Sequence, residues 1–116
     1  MRPQSLRTTI PALLLMVTSC TTSKHVEFLG FDGCPNTPEL RNRLVEAEPE
    51  LKFKDVDLLL LKTDDSRLGW GAPTILVDNE DLFGIPPVKN GNVSCRNWSR
   101  SLPTIEEIRE ALRNLQ

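Results

Sequence analysis

Apolar residues fall along the chain in separate clusters, and the period of each cluster predicts a different element. The first, Ile10 to Val17 (IPALLLMV), is a continuous run of eight residues. A membrane-spanning helix needs roughly 20 apolar residues, whereas an export segment needs about 7–15. Pro11 also argues against a long helix there. His25 to Phe31 (HVEFLGF) is rich in bulky and β-favouring side chains and predicts a buried strand. Asp32-Gly33 marks a turn. Cys34-Pro35-Asn36-Thr37-Pro38-Glu39 then opens a helix, because proline is favoured in a first helical turn and Glu39 suits the positive end of the helix dipole. Leu40, Leu44, Val45 and Ala47 repeat at helical spacing, and Pro49 stops the run.

Val56 to Leu61 (VDLLLL) predicts a short central strand covered on both faces. Thr63 to Arg67 is polar, with room for a turn or one short helix. Thr74 to Val77 (TILV) predicts a third strand, and Asp78 to Asp81 a turn. Residues 82–103 carry Gly84, Pro86, Pro87, Gly91 and Pro103, so this stretch reads as loop with one short strand around Val93. Thr104-Ile105-Glu106-Glu107 has the spacing of a capping box. Ile105, Ile108, Ala111, Leu112 and Leu115 continue it as an apolar helical stripe. The order β-α-β-(short)-β-(β)-α predicts an α/β domain with helices packed on a small sheet.

Composition narrows the functional classes. The chain has 116 residues, enough for one domain, with 39% hydrophobic and 26% charged residues. Residues 1–19 contain Arg2 and Arg7 and no acid, so the remainder holds 12 basic and 16 acidic residues, a formal balance of −4. Nucleic-acid binding needs a basic surface and is not expected. With a single histidine, His25, a His-based metal site or catalytic dyad is not expected unless His25 serves, and no cofactor is expected. His25 reads as the partly exposed start of the first strand. The acidic run Asp78 to Asp81 reads as a solvated turn, and Trp70 and Trp98 as packing residues able to flank a cleft at Cys34. Asn92-Val93-Ser94 and Asn97-Trp98-Ser99 match glycosylation sequons, which would carry meaning only in a eukaryotic chain.

After Arg2, Arg7 and the apolar run comes Val17-Thr18-Ser19-Cys20. This resembles the lipobox of bacterial lipoproteins: an aliphatic residue, two small residues and an acceptor cysteine. The resemblance implies a signal peptide over 1–19, cleavage before Cys20 and acylation of the Cys20 thiol and the new amino terminus. More than one acyl chain gives stable anchoring. Residues 20–23 would then form a lipidated tether and 24–116 the domain. The implied location is the bacterial cell envelope, anchored to the membrane through Cys20 and facing the periplasm or exterior.

Cys34 carries the candidate chemistry. It follows a strand and a glycine turn and stands where a helix begins, where unpaired N–H groups and the dipole favour a thiolate. Asn36 and Thr37 are placed to donate hydrogen bonds to it. The alternative is a half-buried cysteine that packs as a small apolar residue. A second feature is Gly71-Ala72-Pro73-Thr74, which leads directly into the TILV strand. Proline cannot donate to a ladder, so it belongs at a turn or edge there.

Together these stretches resemble the thioredoxin superfamily, in which an active-site cysteine opens the first helix and a cis-proline precedes the third strand. Cys34-Pro35-Asn36-Thr37 stands where that family has its CxxC motif, and Ala72-Pro73-Thr74 where it has the cis-proline turn. FLGFDGCPN, GAPTILVDNEDLFG and Ser94-Cys95-Arg96 look more specifically like small bacterial thioredoxin-like proteins, some loosely labelled alkylmercury lyase. The resemblance implies a three-layer fold: a small mixed sheet with helices on both faces, the second helix much reduced. It implies catalytic roles for Cys34, Thr37 and Pro73, and contacts to a protein thiol or disulfide partner through Pro35, Asn36 and Ala72. Thr37 replaces the second motif cysteine. Cys95 is then a candidate for the missing thiol, since an exported compartment permits disulfides. Three outcomes stay open: a redox pair with Cys34 attacking and Cys95 resolving, a stapling disulfide, or no contact. Three functions stay open as well: a thiol-disulfide oxidoreductase, a redox-inactive binding module, and capture of a soft metal by two thiolates. Organomercury cleavage lacks its acid–base residues here.

Overall fold

The computed structural model describes residues 24–89 and 91–115. The expected signal peptide and Cys20 lie outside them. The described part is an α/β domain built from β1 (Val26–Gly30), α1 (Asn36–Ala47), β2 (Lys54–Asp57), β3 (Thr74–Val77), β4 (Glu80–Asp81) and α2 (Ile105–Arg113). The sheet has four strands in the order β2-β1-β3-β4. β1 and β2 are parallel, whereas β3 is antiparallel to β1 and β4 antiparallel to β3. The helical crossover α1 is what permits the parallel pair.

Side chains alternate across the sheet with the period of two that strands impose. Val26 and Phe28 of β1 and Ile75 and Val77 of β3 point to one face. There they pack with Leu40, Leu44 and Ala47 of α1 and with Ile108 and Leu112 of α2. Leu29 and Leu76 point to the other face and pack with Cys34, Val56, Leu58, Leu68 and Ala72. Every residue of β1 and β3 is buried.

Both α-helices therefore lie on one face. The expectation of helices on both faces is corrected: the second face is covered by two turns of 3₁₀ helix, Leu58–Leu60 and Ser66–Trp70. The connection from β2 to β3 is taken up by these two turns and a polar stretch between them, and holds no α-helix. The expected strand through Leu61 is also corrected. β2 ends at Asp57, whose side chain accepts from the Leu59 backbone N–H at 2.9 Å and turns the chain. Leu58 is then buried, while Leu59 is 58% and Leu60 82% exposed.

The helices are joined reciprocally. Arg43 of α1 donates to the carbonyls of Leu102 and Pro103 ahead of α2, and Arg109 of α2 donates to the Ala47 carbonyl at the end of α1. The capping box is present, with Thr104 and Glu107 each satisfying the other's backbone N–H. Ala111 is only half-buried and Leu115 is 39% exposed. The stripe seen in the sequence thus narrows to Ile108 and Leu112.

Under the 3₁₀ cover, Glu27 of β1 is buried and its Oε2 accepts from Arg67 at 2.9 Å. Arg67 is also held by Asp65, whose carboxyl sits below its ordinary range, chiefly because of the hydrogen bonds from the Arg67 side chain. The exposed pair Arg41–Asp55 ties α1 to β2 with two bonds of 2.8 Å, which likewise lowers Asp55.

The hairpin from β3 to β4 corrects the expected four-residue turn. Only Asp78 and Asn79 form it, and both have positive φ, as a two-residue hairpin of the primed type requires. Asn and Asp tolerate this region better than other side-chain-bearing residues. Glu80 and Asp81 are strand, and Asp81 is buried.

These positions make the strand boundary testable in urea denaturation. Leu58→Ala should cost about 2–5 kcal/mol, as deletion of a fully buried leucine does. Leu60→Ser should change stability by less than about 0.5 kcal/mol. A large loss at Leu60 would restore the longer strand.

Candidate functional site

β1 delivers the chain to a turn in which Gly33 has φ +121°, a value that excludes most side chains. Cys34 follows at 3% exposure, with Pro35 as the cap of α1. No side chain caps this helix start. One local bond closes the turn: the Thr37 backbone N–H donates to the Cys34 carbonyl at 3.0 Å. Among the described residues, no bond runs from the Asn36 or Thr37 side chain to the Cys34 sulfur. Asn36 and Pro35 are exposed, and the Thr37 hydroxyl is buried without a partner.

The second part of the site is the turn into β3. Gly71 has φ +74°, and the Ala72–Pro73 peptide bond is cis. The Thr74 hydroxyl donates to the Gly71 carbonyl at 2.9 Å, and Pro73 is buried. Gly71 is required twice over. Its conformation disfavours a side chain, and a Cβ there would come within 3.0 Å of the Ser94 carbonyl and 3.1 Å of the Arg96 nitrogen.

The loop that approaches so closely brings Cys95. Ala72 N–H donates to the Ser94 carbonyl at 2.9 Å, and Arg96 N–H donates to the Ala72 carbonyl at 2.7 Å. Ala72 and Cys95 thus form a parallel bridge of one residue each. Where Val93 was expected to centre a short strand, this bridge is the ladder contact that residues 91–103 make among the described residues. Cys34 and Cys95 are joined by a disulfide, with Cα atoms 5.6 Å apart. Cys95 is exposed although Cys34 is buried. In the chain-entropy account a bridge over this span is worth about 4 kcal/mol. The bridged state leaves neither sulfur free as a thiolate ligand.

What fixes the loop is a cluster that the sequence did not reveal. The Arg96 guanidinium donates to Asp81 at 2.6 Å and to the Thr74 hydroxyl at 3.2 Å. Its side chain is 7% exposed and that of Asp81 fully buried. Asp81 also accepts the backbone N–H groups of Phe83 and Ile85, so the carboxylate has several donors as burial demands. Arg96 lies 3.7 Å over the Trp98 ring, which meets Phe83 edge-on. Trp98 therefore packs on the helical side of the sheet. Trp70 packs in the cluster that contains Cys34, and its indole N–H donates to the Ile85 carbonyl at 2.7 Å.

A shallow hollow of about 560 Å³ opens beside Cys34, floored by Phe31, Pro35 and Thr37. A larger groove of about 940 Å³ runs between α2 and residues 96–101 and includes neither cysteine. His25 is exposed beside β1, and its Nε2 lies 3.3 Å from the Glu27 carboxylate. No group of three or more His, Cys, Asp or Glu side chains among the described residues is arranged to hold a metal. The structure therefore gathers Cys34, Cys95, Ala72 and Pro73, leaves Pro35 and Asn36 exposed to solvent beside Cys34, and adds Asp81 and Arg96. The adjacency of Arg96 to Cys95 was the one available signal for that pair. Asp81 was hidden in an acidic run.

Because Arg96–Asp81 is a buried pair, removing one partner leaves the other uncompensated. Asp81→Ala should destabilise the domain by about 3–5 kcal/mol, read by urea denaturation. It should also make Cys34–Cys95 easier to reduce in a thiol titration. Unchanged reducibility would mean that the pair does not position the loop. No family model, curated protein or solved structure matches the chain.

Proposed function

We propose that the chain is a membrane-anchored, thioredoxin-like protein that exchanges thiols and disulfides through the Cys34–Cys95 couple. The observation that carries this reading is the disulfide between a cysteine at an uncapped helix start and an exposed loop cysteine, beside the cis Ala72–Pro73 bond. The strand order β2-β1-β3-β4, with one parallel pair and a cis-proline leading into β3, supports the thioredoxin-like assignment. Cys95 supplies the second sulfur that Thr37 does not. Anchoring through Cys20 places the domain in the bacterial envelope, where an oxidised couple persists. The partner is a protein thiol or disulfide, which meets the exposed Pro35 and Asn36 beside Cys34; Ala72, expected to touch it, is fully buried and serves instead through its backbone bonds to the Cys95 loop.

A second reading is favoured by the burial of Cys34 at 3% exposure. In that reading the bridge is a staple, and the fold is a redox-inactive binding module.

Equilibration in glutathione buffers separates the two, using the full chain with Cys20→Ser so that Cys34 and Cys95 are its only thiols. An exchanging couple opens and recloses at buffer potentials of about −180 to −250 mV while the domain keeps its native circular dichroism. A staple stays closed there, as structural disulfides below about −300 mV do, and that outcome rejects the exchange reading. The anchor is tested apart from the chemistry. In a bacterial host the unmodified chain should partition with membranes and carry acyl chains by mass spectrometry. Cys20→Ser should abolish both.

A further inference from the structure

We infer that the disulfide is entered at Cys95: an incoming thiolate attacks the Cys95 Sγ, and Cys34 is the leaving and later the resolving sulfur. This rests on the exchange reading and reverses the order that the motif position of Cys34 implies.

The first ground is access. A thiolate must reach the sulfur it attacks along the line of the S–S bond. Cys34 is 3% exposed and packed among Leu29, Val56, Leu58, Leu68 and Leu76. Cys95 is exposed, on a loop. The second ground is the leaving group. A thiol of lower pKa leaves faster, and a helix start stabilises a thiolate. Cys34 immediately precedes the cap of α1, which no side chain caps; Asn36 offers its N–H there, while the Thr37 N–H is taken by the Cys34 carbonyl and Pro35 and Pro38 have none. Cys95 has no helix end beside it. The third ground is what happens after the bond opens. The two backbone bonds to Ala72 and the Arg96–Asp81 pair do not involve sulfur. They keep Cys95 docked, so the adduct stays next to the Cys34 thiolate and can be resolved.

The step balances as an exchange. The incoming thiolate forms a bond to the Cys95 Sγ, the Sγ–Sγ bond breaks, and its electron pair leaves on the Cys34 sulfur. A second thiol of the same class releases the first as its disulfide, and protons from water complete the protein dithiol. In the oxidising direction the Cys95 thiolate attacks a partner disulfide and expels one partner thiolate. Cys34 then attacks Cys95 and expels the other. The net change is one protein dithiol and one partner disulfide converted to one protein disulfide and two partner thiols.

Glutathione is a sufficient probe. The oxidised full chain carrying Cys20→Ser is mixed with limiting glutathione, quenched with acid within seconds, alkylated and mapped by peptide mass spectrometry. Expected is glutathione on Cys95 and the alkyl group on Cys34, with Cys95 adducts in excess by roughly tenfold. Equal adducts, or adducts mainly on Cys34, overturn the order and leave the exchange reading standing. Uptake at neither sulfur overturns both. Single-thiol variants give a second measurement on glutathione disulfide. Cys34→Ser, which keeps Cys95, should react faster than Cys95→Ser, which keeps the covered Cys34. The reverse ranking defeats the inference.

Discussion

The covalent tie between Cys34 and Cys95 decides where the least regular part of the domain lies. The described residues of 82–103 contain no helix and no strand of the sheet, and loops of that length without structure of their own are uncommon in compact domains. Left alone, such a segment would lose the entropy of ordering each residue and recover little by burial. Here it is fixed at points that converge. The disulfide attaches it to the start of α1, Ala72 pairs with it through two backbone bonds, and Arg96 reaches Asp81 across the hairpin. Trp70 adds a bond to the Ile85 carbonyl. Each of these ties is meaningful only because the others place its partners. A buried guanidinium is tolerable only where its carboxylate is already held by backbone donors, as Phe83 and Ile85 hold Asp81.

The sheet supplies the frame for that convergence by treating its two faces differently. One face receives both helices, joined by Arg43 and Arg109, and carries the larger apolar core. The other receives only 3₁₀ turns, so its cover is thin and is completed by Cys34 itself, which packs there as a small apolar residue. The sulfur is therefore part of the core and of the candidate chemistry together. The thin cover also explains Leu59 and Leu60. A three-residue 3₁₀ helix presents one side to the sheet, Leu58 occupies it, and its neighbours are turned to solvent.

Elements whose signals are local were legible in the sequence. The capping box at Thr104 and Glu107, the TILV strand and the proline-led helix after Cys34 all form where the pattern placed them. The pairing of Cys34 with Cys95 was left open by the sequence, since a redox pair and a staple both join them and a third outcome keeps them apart; the structure joins them. What failed was decided by side-chain bonds and turn geometry that the apolar pattern does not carry. VDLLLL reads as a strand by composition, but the side-chain bond from Asp57 to Leu59 N–H ends it after two residues. Asp81 reads as the end of a solvated acidic turn, yet a hairpin of only Asp78 and Asn79 puts it in a strand under Arg96. Periodicity could not separate the two faces of the sheet either. It shows that a helix is amphipathic, not which side of a strand receives it.

Burial of Cys34 does not by itself remove the site from chemistry, because a disulfide is reached through whichever of its two sulfurs solvent can touch. The properties wanted of a reactive cysteine, ionisation and access, are usually sought in one residue. In this domain they are divided. On the exchange reading, the helix start that would favour a thiolate lies at Cys34, inside, and the exposure lies at Cys95, on a loop that Ala72 and Asp81 hold in place. Such a division has a physical consequence. On that reading a thiolate at Cys34 is covered from outside oxidants but stays next to Cys95, so closure of the bridge is intramolecular and benefits from proximity. The backbone bonds of Ala72 and the Arg96–Asp81 pair then matter beyond stability, because they hold Cys95 beside Cys34 by contacts in which neither sulfur takes part.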